Sequence, residues 1–390
     1  MIKSFKVRLF PTKKQEQLMW RHIGACRYLW NFMLDFQQKN YKQGNKHLSA
    51  FDIMNMIKPL KGDGEHEWLK EVSNASLQTI CRDLDKAFQR FFKKQSGYPK
   101  FKSRKRSKPA FPIRETVWFA DKVVTIEKIG KVHYKTDFEL PFGRGHKFTN
   151  PRISNVNGKW ILSFGMECEN QAPELTDVSM GIDLGVKDLA IAEFNGEKIV
   201  FHNINKSHKM RKLKKKLKHL QRSISRKYEA NRQGKKYVKT KNIICEEDKL
   251  RKLHSRITNI RNNYTHQTTH TLVAMLPKRV VMEDLNVSGM IKNHHLSKVI
   301  QEQCFFEFIR QMKYKCEWHG IEFIQVDRFY PSSKTCSCCG SIKHNLKLSD
   351  RIYKCDLCGA VIDRDYNAAI NLSRYAPDSR GYSLKVSLRL

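Results

Sequence analysis

Acidic residues occur at three places where a strand pattern ends or a helix pattern begins. Asp183 lies inside the apolar pattern MGIDLG, and Glu283 and Asp284 end the pattern RVVMED. Asp363 and Asp365 stand at the start of a short helix pattern. A carboxylate within a β core is costly unless it is paired or bound to a metal. Carboxylates that converge from separate strands could hold two Mg²⁺ ions, which would activate water and stabilise the leaving oxygen of a phosphodiester.

Each of these positions also has a simpler explanation. Asp183 could form a turn, and Glu283 could be an exposed strand end. Asp365 could cap the last helix, because Asp is a favoured N-cap residue and suits the positive end of a helix. The residues taken singly leave these alternatives open, whereas their joint occurrence in a basic α/β chain favours a metal site.

Five of the eleven cysteines are bunched between residues 336 and 358. Cys336 and Cys339 form one C-x-x-C pair, Cys355 and Cys358 form the other, and fifteen residues separate the pairs. This spacing is typical of a four-cysteine zinc ribbon. Each pair is followed by glycine, and the matching C-x-x-C-G form selects Cys339 over Cys338 as a ligand. Because such a site has closed tetrahedral ligation, we expect the Zn²⁺ to be structural and the chemistry to lie elsewhere.

The charge balance of the chain is strongly positive. Its 390 residues include 74 Lys and Arg against 38 Asp and Glu, a formal net charge of +36. The usual partner of such an excess is a nucleic-acid backbone. A membrane surface is the alternative, but the sequence has no long apolar run and no signal-peptide core. The other cysteines are scattered singly, which indicates a reducing compartment. We therefore expect a nucleic-acid-binding protein without a membrane partner.

Two segments concentrate the positive charge. Residues 93–109 form a predicted linker in which eight of 17 residues are Lys or Arg. Residues 206–227 contain eleven Lys or Arg and no acid, on a predicted helix with a heptad seam. Such a run is often a solvated face, but like charges this dense destabilise a lone helix, which favours a bound polyanion. The candidate nucleic-acid contacts in these segments are Lys100, Lys102, Arg104, Lys105, Arg106, Lys212, Lys215 and Lys216.

The hydrophobic periodicity changes several times along the chain. A strand is predicted over residues 2–11, and a helical region follows it to about residue 94. Period-two alternation over 110–170 predicts a small β-barrel or open sheet. The first strand is expected to join this sheet. Its turns are predicted at Gly130, Pro141, Gly143, Gly145 and Asn157-Gly158. A linker is predicted at 171–177.

The remainder of the chain reads as an α/β domain. Three consecutive strands come first, with turns at 185–187 and at Asn195-Gly196. The basic helix and a second helix over 250–275 follow. The pattern then gives the strand KRVVMEDL, a helix near 299–319, the strand IEFIQVD, the cysteine cluster and a final short helix.

Several motifs resemble those of the TnpB family of transposon-encoded RNA-guided endonucleases. The segments GIDLGVKDLAI, VMEDLNVSGM, DRFYPSSKTCSCCG and CDLCGAVIDRDYNAAINL are similar to its RuvC-type nuclease motifs and appear in the family's order. The segments KVRLFPTKKQ, CRYLWNFML and YPKFKSR also resemble the family. The resemblance covers nearly the whole chain.

The resemblance implies a multidomain α/β fold and a catalytic triad. The family motif Asp-x-Asn-Ala-Ala selects Asp365 over Asp363, and the triad is completed by Asp183 and by Glu283 rather than Asp284. The implied modules are a β-barrel wedge domain (1–11 and 110–172), a helical recognition lobe (12–109), an RNase H-like RuvC nuclease domain (173–333 and 362–373), an inserted zinc ribbon (334–361) and a tail (374–390) that we expect to be mobile or ordered by RNA.

The implied activity is that of a metal-dependent endodeoxyribonuclease. A guide RNA made at the protein's own locus would pair with the target, and the protein would read a short adjacent DNA motif. One site with two Mg²⁺ ions would cut double-stranded DNA, with no small-molecule substrate and a nucleoid-associated location in a prokaryotic cytoplasm. Arg328, in the family-like DRF, would support the site or contact phosphate, unless it forms a structural ion pair.

Three alternatives remain open at this point. One is a nuclease-inactive, RNA-guided DNA-binding regulator, a class that loses acidic residues which this chain keeps. A transposase of RNase H fold could share the carboxylates but would not be expected to carry a large guide RNA. A basic zinc-ribbon RNA-binding protein without catalysis would be unaffected by replacement of Asp183.

Overall fold

The computed structural model describes residues 1–140, 147–168, 173–234, 236–347 and 350–376. The chain divides into two compact units, Met1–Glu169 and Asn170–Leu390. The predicted turn residues Pro141, Gly143 and Gly145, the first two residues of the predicted 171–177 linker and residues 377–390 of the predicted tail lie outside the described residues.

In the sequence of the first unit, the helices follow the first strand and precede the second. Helix α1 begins with a capping box, in which the Gln15 amide donates to Thr12 Oγ1 (3.3 Å) and the Thr12 amide donates to Gln15 Oε1 (3.0 Å). The predicted helical region is confirmed, but loops interrupt it at Gly44 and Gly64, which adopt left-handed φ values of 78° and 80°. The helices are α1 (Lys13–Lys42), α2 (Ala50–Asn55), α3 (Ile57–Leu60), a 3₁₀ turn (Glu67–Glu71) and α4 (Asn74–Phe92).

A seven-stranded antiparallel sheet completes the first unit. Its strands are β1 (Ile2–Phe10), β2 (Ala110–Pro112), β3 (Trp118–Ala120), β4 (Val123–Ile126), β5 (Gly130–Lys135), β6 (Thr149–Val156) and β7 (Lys159–Glu167). The first strand joins this sheet, as predicted, and occupies its centre in the order β2-β6-β7-β1-β5-β4-β3. The predicted turn at Asn157-Gly158 joins β6 to β7 with φ values of 52° and 80°. Closure into a barrel stays a prediction, since no strand pairing among the described residues joins β2 to β3.

One hydrophobic core serves both the helices and the sheet of this unit.

The predicted linker over 93–109 is hydrogen-bonded to α1 rather than free of it. Trp30 Nε1 donates to the Lys100 carbonyl (3.0 Å), and the Asn31 side chain bonds both the carbonyl (2.8 Å) and the amide (2.7 Å) of Lys102.

The second unit is built on a five-stranded mixed sheet. Its elements in chain order are β8 (Ser179–Leu184), β9 (Asp188–Phe194), β10 (Glu197–His202), α5 (His208–Ala230), β11 (Arg232–Gln233), β12 (Lys236–Tyr237), α6 (Lys241–Ala274), β13 (Arg279–Glu283), α7 (Val287–Lys292), α8 (Ser297–Gln303), α9 (Phe305–His319), β14 (Glu322–Val326), β15 (Ile352–Lys354), β16 (Val361–Asp363) and α10 (Arg364–Ser373). The sheet order is β10-β9-β8-β13-β14. The three predicted consecutive strands, β8 to β10, are antiparallel, whereas β13 runs parallel to β8 and β14.

The predicted heptad seam of α5 faces α6. Met210 and Leu213 are buried against Leu253 and Ile257, so the lysine-rich face points away from this contact. The helix predicted near 299–319 is divided, because Cys304 has a left-handed backbone (φ 56°) between α8 and α9.

Candidate metal centres

Asp183 and Glu283 lie side by side at the edge of the mixed sheet where the neighbouring parallel strands β8 and β13 have their carboxyl ends. Ile182 of β8 pairs with Met282 of β13, and each carboxylate is the next residue along its strand. Burial raises the pKa of Asp183 well above its usual value, and the negative charges of Glu283 and Asp365 raise it further. The three acids therefore share one electrostatic environment.

Asp365 reaches this edge from the first turn of α10, and its Oδ2 atom lies 4.0 Å from the position of a Cβ built on Gly185. It does not cap the helix, so that expectation was wrong. The N-cap is Asp363, which accepts the Tyr366 amide (3.0 Å) and pairs with Lys198 (3.6 Å).

The close approach of α10 to β8 depends on a glycine. A Cβ added to Gly181 would overlap the backbone of Ala369 and Ser373. The first glycine of the motif MGIDLG therefore lets the helix that carries Asp365 lie directly on the strand that carries Asp183.

Glu283 and its neighbour Asp284 have different partners. The hydroxyl of Ser332 donates to Glu283 Oε1. Burial raises the pKa of Glu283, while this hydrogen bond and the Arg364 charge lower it. Asp284 instead pairs with Arg328 (3.0 Å), and both side chains are about half exposed. Arg328 therefore forms an ion pair, one of the alternatives for this residue, while its contact with phosphate stays a prediction. Exposed pairs of this kind contribute little to stability.

Arg364 is a charged neighbour of the carboxylates that the sequence reasoning missed. Its positive charge lowers the pKa of both Asp183 and Glu283, so it lies close enough to offset their negative charge. Its Nη1 atom donates to the carbonyls of Lys347 (3.1 Å) and Asp350 (3.4 Å). The sequence offered one indication of this proximity, since Arg364 stands directly between Asp363 and Asp365.

The three carboxylates fit a hard divalent cation. They offer only oxygen donors, which Mg²⁺ prefers. Buried like charges raise the pKa of Asp183, and a bound cation would relieve that cost. Their oxygens do not all lie within 4.8 Å of one another, so among the described residues the three carboxylates do not form a closed ligand cluster.

The four predicted ribbon cysteines form a compact cluster, the one such group of potential ligands found across the described ranges. Their Sγ atoms all lie within 4.8 Å of one another, with Cys336 3.7 Å from Cys358 and Cys339 3.5 Å from Cys355. Tetrahedral ligation at a Zn–S distance of ~2.3 Å requires sulfur atoms about 3.8 Å apart. The geometry therefore fits Zn²⁺, and Cys338 is exposed and outside the cluster.

The backbone also prepares the cluster for a cation. Gly340 and Gly359 adopt left-handed φ values of 77° and 70°, which let the chain turn after each pair. The Cys358 amide and then the Ser341 hydroxyl lower the pKa of Cys355 to about 5, whereas contacts with Cys339 and Cys355 raise the pKa of Cys358. A thiolate is the form that binds Zn²⁺.

Two buried asparagines of α10 bind the segment that leads into the ribbon. Asn367 Oδ1 accepts the Ser337 amide (2.9 Å), and its Nδ2 donates to the Thr335 carbonyl (2.7 Å). Asn371 Nδ2 donates to the carbonyls of Ser332 and Thr335, both at 2.7 Å. Sequence reasoning missed this pair, although the i, i+4 spacing in NAAIN places both on one helix face.

A further network holds the turn that follows Asp183. Gln303, which is buried, donates to the carbonyls of Gly185 (2.9 Å) and Val186 (3.3 Å). The neighbouring Glu302 pairs with Lys214 of α5 (2.5 Å) and Arg261 of α6 (3.3 Å). Helices α5 and α6 are thus connected to the turn beside Asp183.

Most of the predicted nucleic-acid residues lie on exposed surfaces. They are Lys100, Arg104, Lys105 and Arg106 in the first unit, and Lys212, Lys215, Lys216 and Arg328 in the second. Lys102 differs, because its ammonium lies 3.4 Å from the centre of the Trp30 ring and burial lowers its pKa to about 8. Lys102 and Arg104 line a cleft of about 1190 Å³ with Arg27 and Arg152.

Membrane insertion finds no support in the helices. Over the described part of the chain, none is both long and apolar enough to cross a bilayer.

Three family models match successive parts of the chain. Residues 1–46 match a model described as "Helix-turn-helix domain", residues 163–294 match "Probable transposase" (OrfB of IS605), and residues 305–372 match "Cas12f1-like, TNB domain". Residues 1–46 here form a strand and one long helix rather than two helices joined by a turn.

Known proteins are similar to the chain over most of its length. One from Streptomyces pristinaespiralis, provisionally named an RNA-guided DNA endonuclease, is 32% identical over 95% of this chain and 88% of its own. InsQ of Escherichia coli K12, with the same provisional name, is 30% identical over 95% of this chain and 91% of its own.

The fold is similar to that of a type V effector. The protein in the cryo-EM structure of a Cas12f1–sgRNA–target DNA complex superposes with a TM-score of 0.56 at 13% identity, covering 96% of this chain and 98% of that one. At this identity the likeness concerns the fold alone. Two relatives at 30% identity or above, each spanned almost in full, show that the chain belongs to the TnpB family of IS605 OrfB proteins.

Proposed function

We propose that the chain is an RNA-guided DNA endonuclease that hydrolyses the phosphodiester bonds of double-stranded DNA at a single Mg²⁺-dependent site. The observation that carries the proposal is the convergence of Asp183, Glu283 and Asp365 from β8, β13 and α10. The names of the relatives support the activity, and the net charge of +36 supports a polyanionic guide and target.

The carboxylates would bind and orient the cations at the sheet edge. Two bound Mg²⁺ ions would supply an activated water and stabilise charge on the leaving oxygen. Arg364 offsets part of the negative charge that the carboxylates bring together. The RuvC-type RNase H architecture, the catalytic triad and the assignment of a wedge domain, recognition lobe and nuclease domain belong to the same proposal, as does nucleoid association.

Cys336, Cys339, Cys355 and Cys358 would hold a structural Zn²⁺. Replacing Cys339 with Ser should reduce bound zinc from about one equivalent to well below one, because a tetrahedral site then lacks one thiolate. Cys338→Ser is the matched control and should retain full zinc. Metal analysis of the purified proteins measures both, and equal zinc in the two variants would reject the ligand assignment.

Guide RNA is tested by expressing the chain with its native flanking DNA and purifying it at high salt. Non-specific polyanion binding falls steeply with salt. One discrete RNA, with a constant body and a 3′ end that reads beyond the element, supports a guided enzyme. A random population, or no RNA, rejects guidance and leaves an unguided nuclease or the transposase suggested by one family model.

Cleavage is tested with neighbouring acids. Glu283→Gln should abolish cleavage of a matched DNA target while RNA and DNA binding persist, because the metal site loses a ligand. Asp284→Asn should cleave nearly as wild type, because the Asp284 carboxylate forms an exposed pair with Arg328. Gel assays of both variants measure cleavage and binding. Cleavage by Glu283→Gln at the wild-type rate would contradict the assigned triad, and Asp183→Ala should behave like Glu283→Gln.

A further inference from the structure

One hydroxyl group connects Glu283 to the segment that precedes the zinc ribbon. Ser332 Oγ donates to Glu283 Oε1, and Ser332 is only 1% exposed. A serine hydroxyl has a single proton to donate, and here the carboxylate receives it. The bond therefore restricts the rotation of the carboxylate at the end of β13.

The position of Ser332 is itself fixed on two sides. Its amide donates to the Tyr330 carbonyl (2.8 Å), and its carbonyl accepts Asn371 Nδ2 (2.7 Å). The amide and the hydroxyl of Thr335 both donate to the Pro331 carbonyl (2.9 and 2.8 Å). The hydroxyl is thus presented by a turn that α10 and the base of the ribbon hold in place.

Glu283 needs this restraint more than Asp183 does. A glutamate has one more rotatable bond than an aspartate, so ordering its carboxylate costs more conformational entropy. Asp183 also lies beneath α10, whose backbone leaves no room for a Cβ at Gly181 two residues away. The neighbouring Asp284 is held by Arg328 instead and does not share the hydroxyl.

We propose that Ser332 is a positioning residue, whose hydroxyl holds the Glu283 carboxylate in the orientation that binds the divalent cation and whose own placement depends on Asn371 of α10. The inference rests on the proposed function, since it assigns Ser332 a role toward a proposed metal ligand. It predicts that Ser332 acts on metal binding and only through Glu283.

The test measures Mn²⁺ affinity by electron paramagnetic resonance on the full-length protein with its co-purified RNA. Ser332→Ala should weaken Mn²⁺ binding by roughly 10- to 100-fold, the usual effect of losing a group that orients a metal ligand. The Mg²⁺ concentration for half-maximal cleavage should rise by a similar factor. Ser333→Ala changes the neighbouring hydroxyl and should match wild type, while Ser332→Thr, which keeps a hydroxyl, should recover much of the affinity.

Two further variants keep the inference open to rejection. Ser332→Cys nearly preserves the side-chain size but has a weaker hydrogen-bond donor, so it should bind Mn²⁺ more weakly than wild type. This variant provides the test if Ser332→Ala does not fold. Combining Ser332→Ala with Glu283→Gln should weaken Mn²⁺ binding no further than Glu283→Gln alone. An additive loss would overturn action through Glu283.

The outcomes separate this inference from the proposed function. A wild-type protein that binds Mn²⁺ and cleaves DNA, with Ser332→Ala and Ser332→Cys equal to it in affinity, rejects the role of Ser332 and leaves the nuclease intact. The nuclease site itself is rejected if the wild-type protein cleaves no DNA and the Glu283→Gln variant binds Mn²⁺ as tightly as wild type does. Zinc content and Tm of each variant report whether its ribbon and fold are preserved.

Discussion

Asp363 and Asp365 are separated by one residue and serve different purposes. The first closes the amino-terminal end of α10, whereas the second faces the carboxylates on the sheet. Arg364 between them contributes positive charge to the same carboxylates. A tripeptide thus combines a helix cap, an electrostatic group and a proposed metal ligand.

This division predicts opposite phenotypes for two similar substitutions. Asp363→Ala should lower the stability by about 0.5–2 kcal/mol, the usual cost of losing an N-cap, and retain cleavage below the new Tm. Asp365→Asn should keep the fold and lose cleavage. Thermal melts and a cleavage assay measure the two effects. Retained cleavage by Asp365→Asn together with loss in Asp363→Ala would reverse the assignment.

The residues of the candidate site were predictable only in part. Asp183, Glu283 and Asp365 were candidates because each stands at an element end. The resemblance to the family motifs then selected Glu283 and Asp365 over their acidic neighbours. Ser332, Asn371 and Gln303 were not, because their partners are distant in sequence and a serine, asparagine or glutamine has many satisfactory environments. Such roles arise from tertiary contact, and a local pattern such as the i, i+4 spacing of Asn367 and Asn371 shows only a shared helix face and not the partner.

At the scale of elements, helices α6 and α9 bury a lysine between them. Lys315 Nζ donates to the Thr269 hydroxyl (2.7 Å) and the His266 carbonyl (2.9 Å), both neutral partners. Burial lowers the pKa of Lys315 to about 8, from 10.5. The folded state therefore releases the proton of Lys315 at a lower pH than the unfolded state does.

The sign of the resulting pH dependence follows from proton binding. Below pH 8 both states hold the proton, so the full cost of the buried charge is present. Between about pH 8 and 10.5 the unfolded state binds more protons, so stability rises with pH. The Tm of wild type relative to Lys315→Met should therefore increase across that window.

Calorimetry at several pH values measures this difference. Lys313→Met, on the exposed face of the same helix, controls for the loss of one positive charge. A difference that stays constant or falls with rising pH would show that Lys315 is not buried as a cation.

Element types were easier to predict from the sequence than element breaks. Period-two and heptad patterns located β1, β8 to β10 and the α5 seam, because each pattern reports which side of an element is buried. The loops between α1 and α4 and the break at Cys304 were missed. At Cys304 apolar residues flank the break on both sides, so tertiary packing decides where the backbone leaves the helix. The loops between α1 and α4 differ, because the polar, glycine-containing stretches QGNKHLS and KGDGEH carry a turn signal that the prediction did not use.

At the scale of the whole molecule, positive charge lies on surfaces that the hydrophobic cores leave free. The exposed face of α5 carries Lys212, Lys215 and Lys216 opposite its seam with α6. Contacts between such lysines and phosphates release counterions, so they appear in the salt dependence of binding.

Replacing these three lysines with Gln should reduce the slope of log K against log salt by about 2 for a largely single-stranded RNA contact. The matching triple replacement with Arg keeps the charge and should leave the slope near that of wild type. Titration of the RNA-free protein with its own RNA at several salt concentrations measures both. An unchanged slope in the Gln variant would remove α5 from the RNA-binding surface.

Strands β8 and β13 are neighbours in the sheet, although about a hundred residues separate them along the chain. Closing so long a loop costs entropy that grows with the logarithm of its length, and pairings distant in sequence form slowly. The α5–α6 hairpin, whose helical hydrogen bonds are local and whose seam joins residues closer in sequence than β8 and β13, takes up most of that length once it has formed. We therefore expect the hairpin to fold early and to shorten the search by which β8 finds β13, so that the basic segment also helps to set the folding rate of this unit.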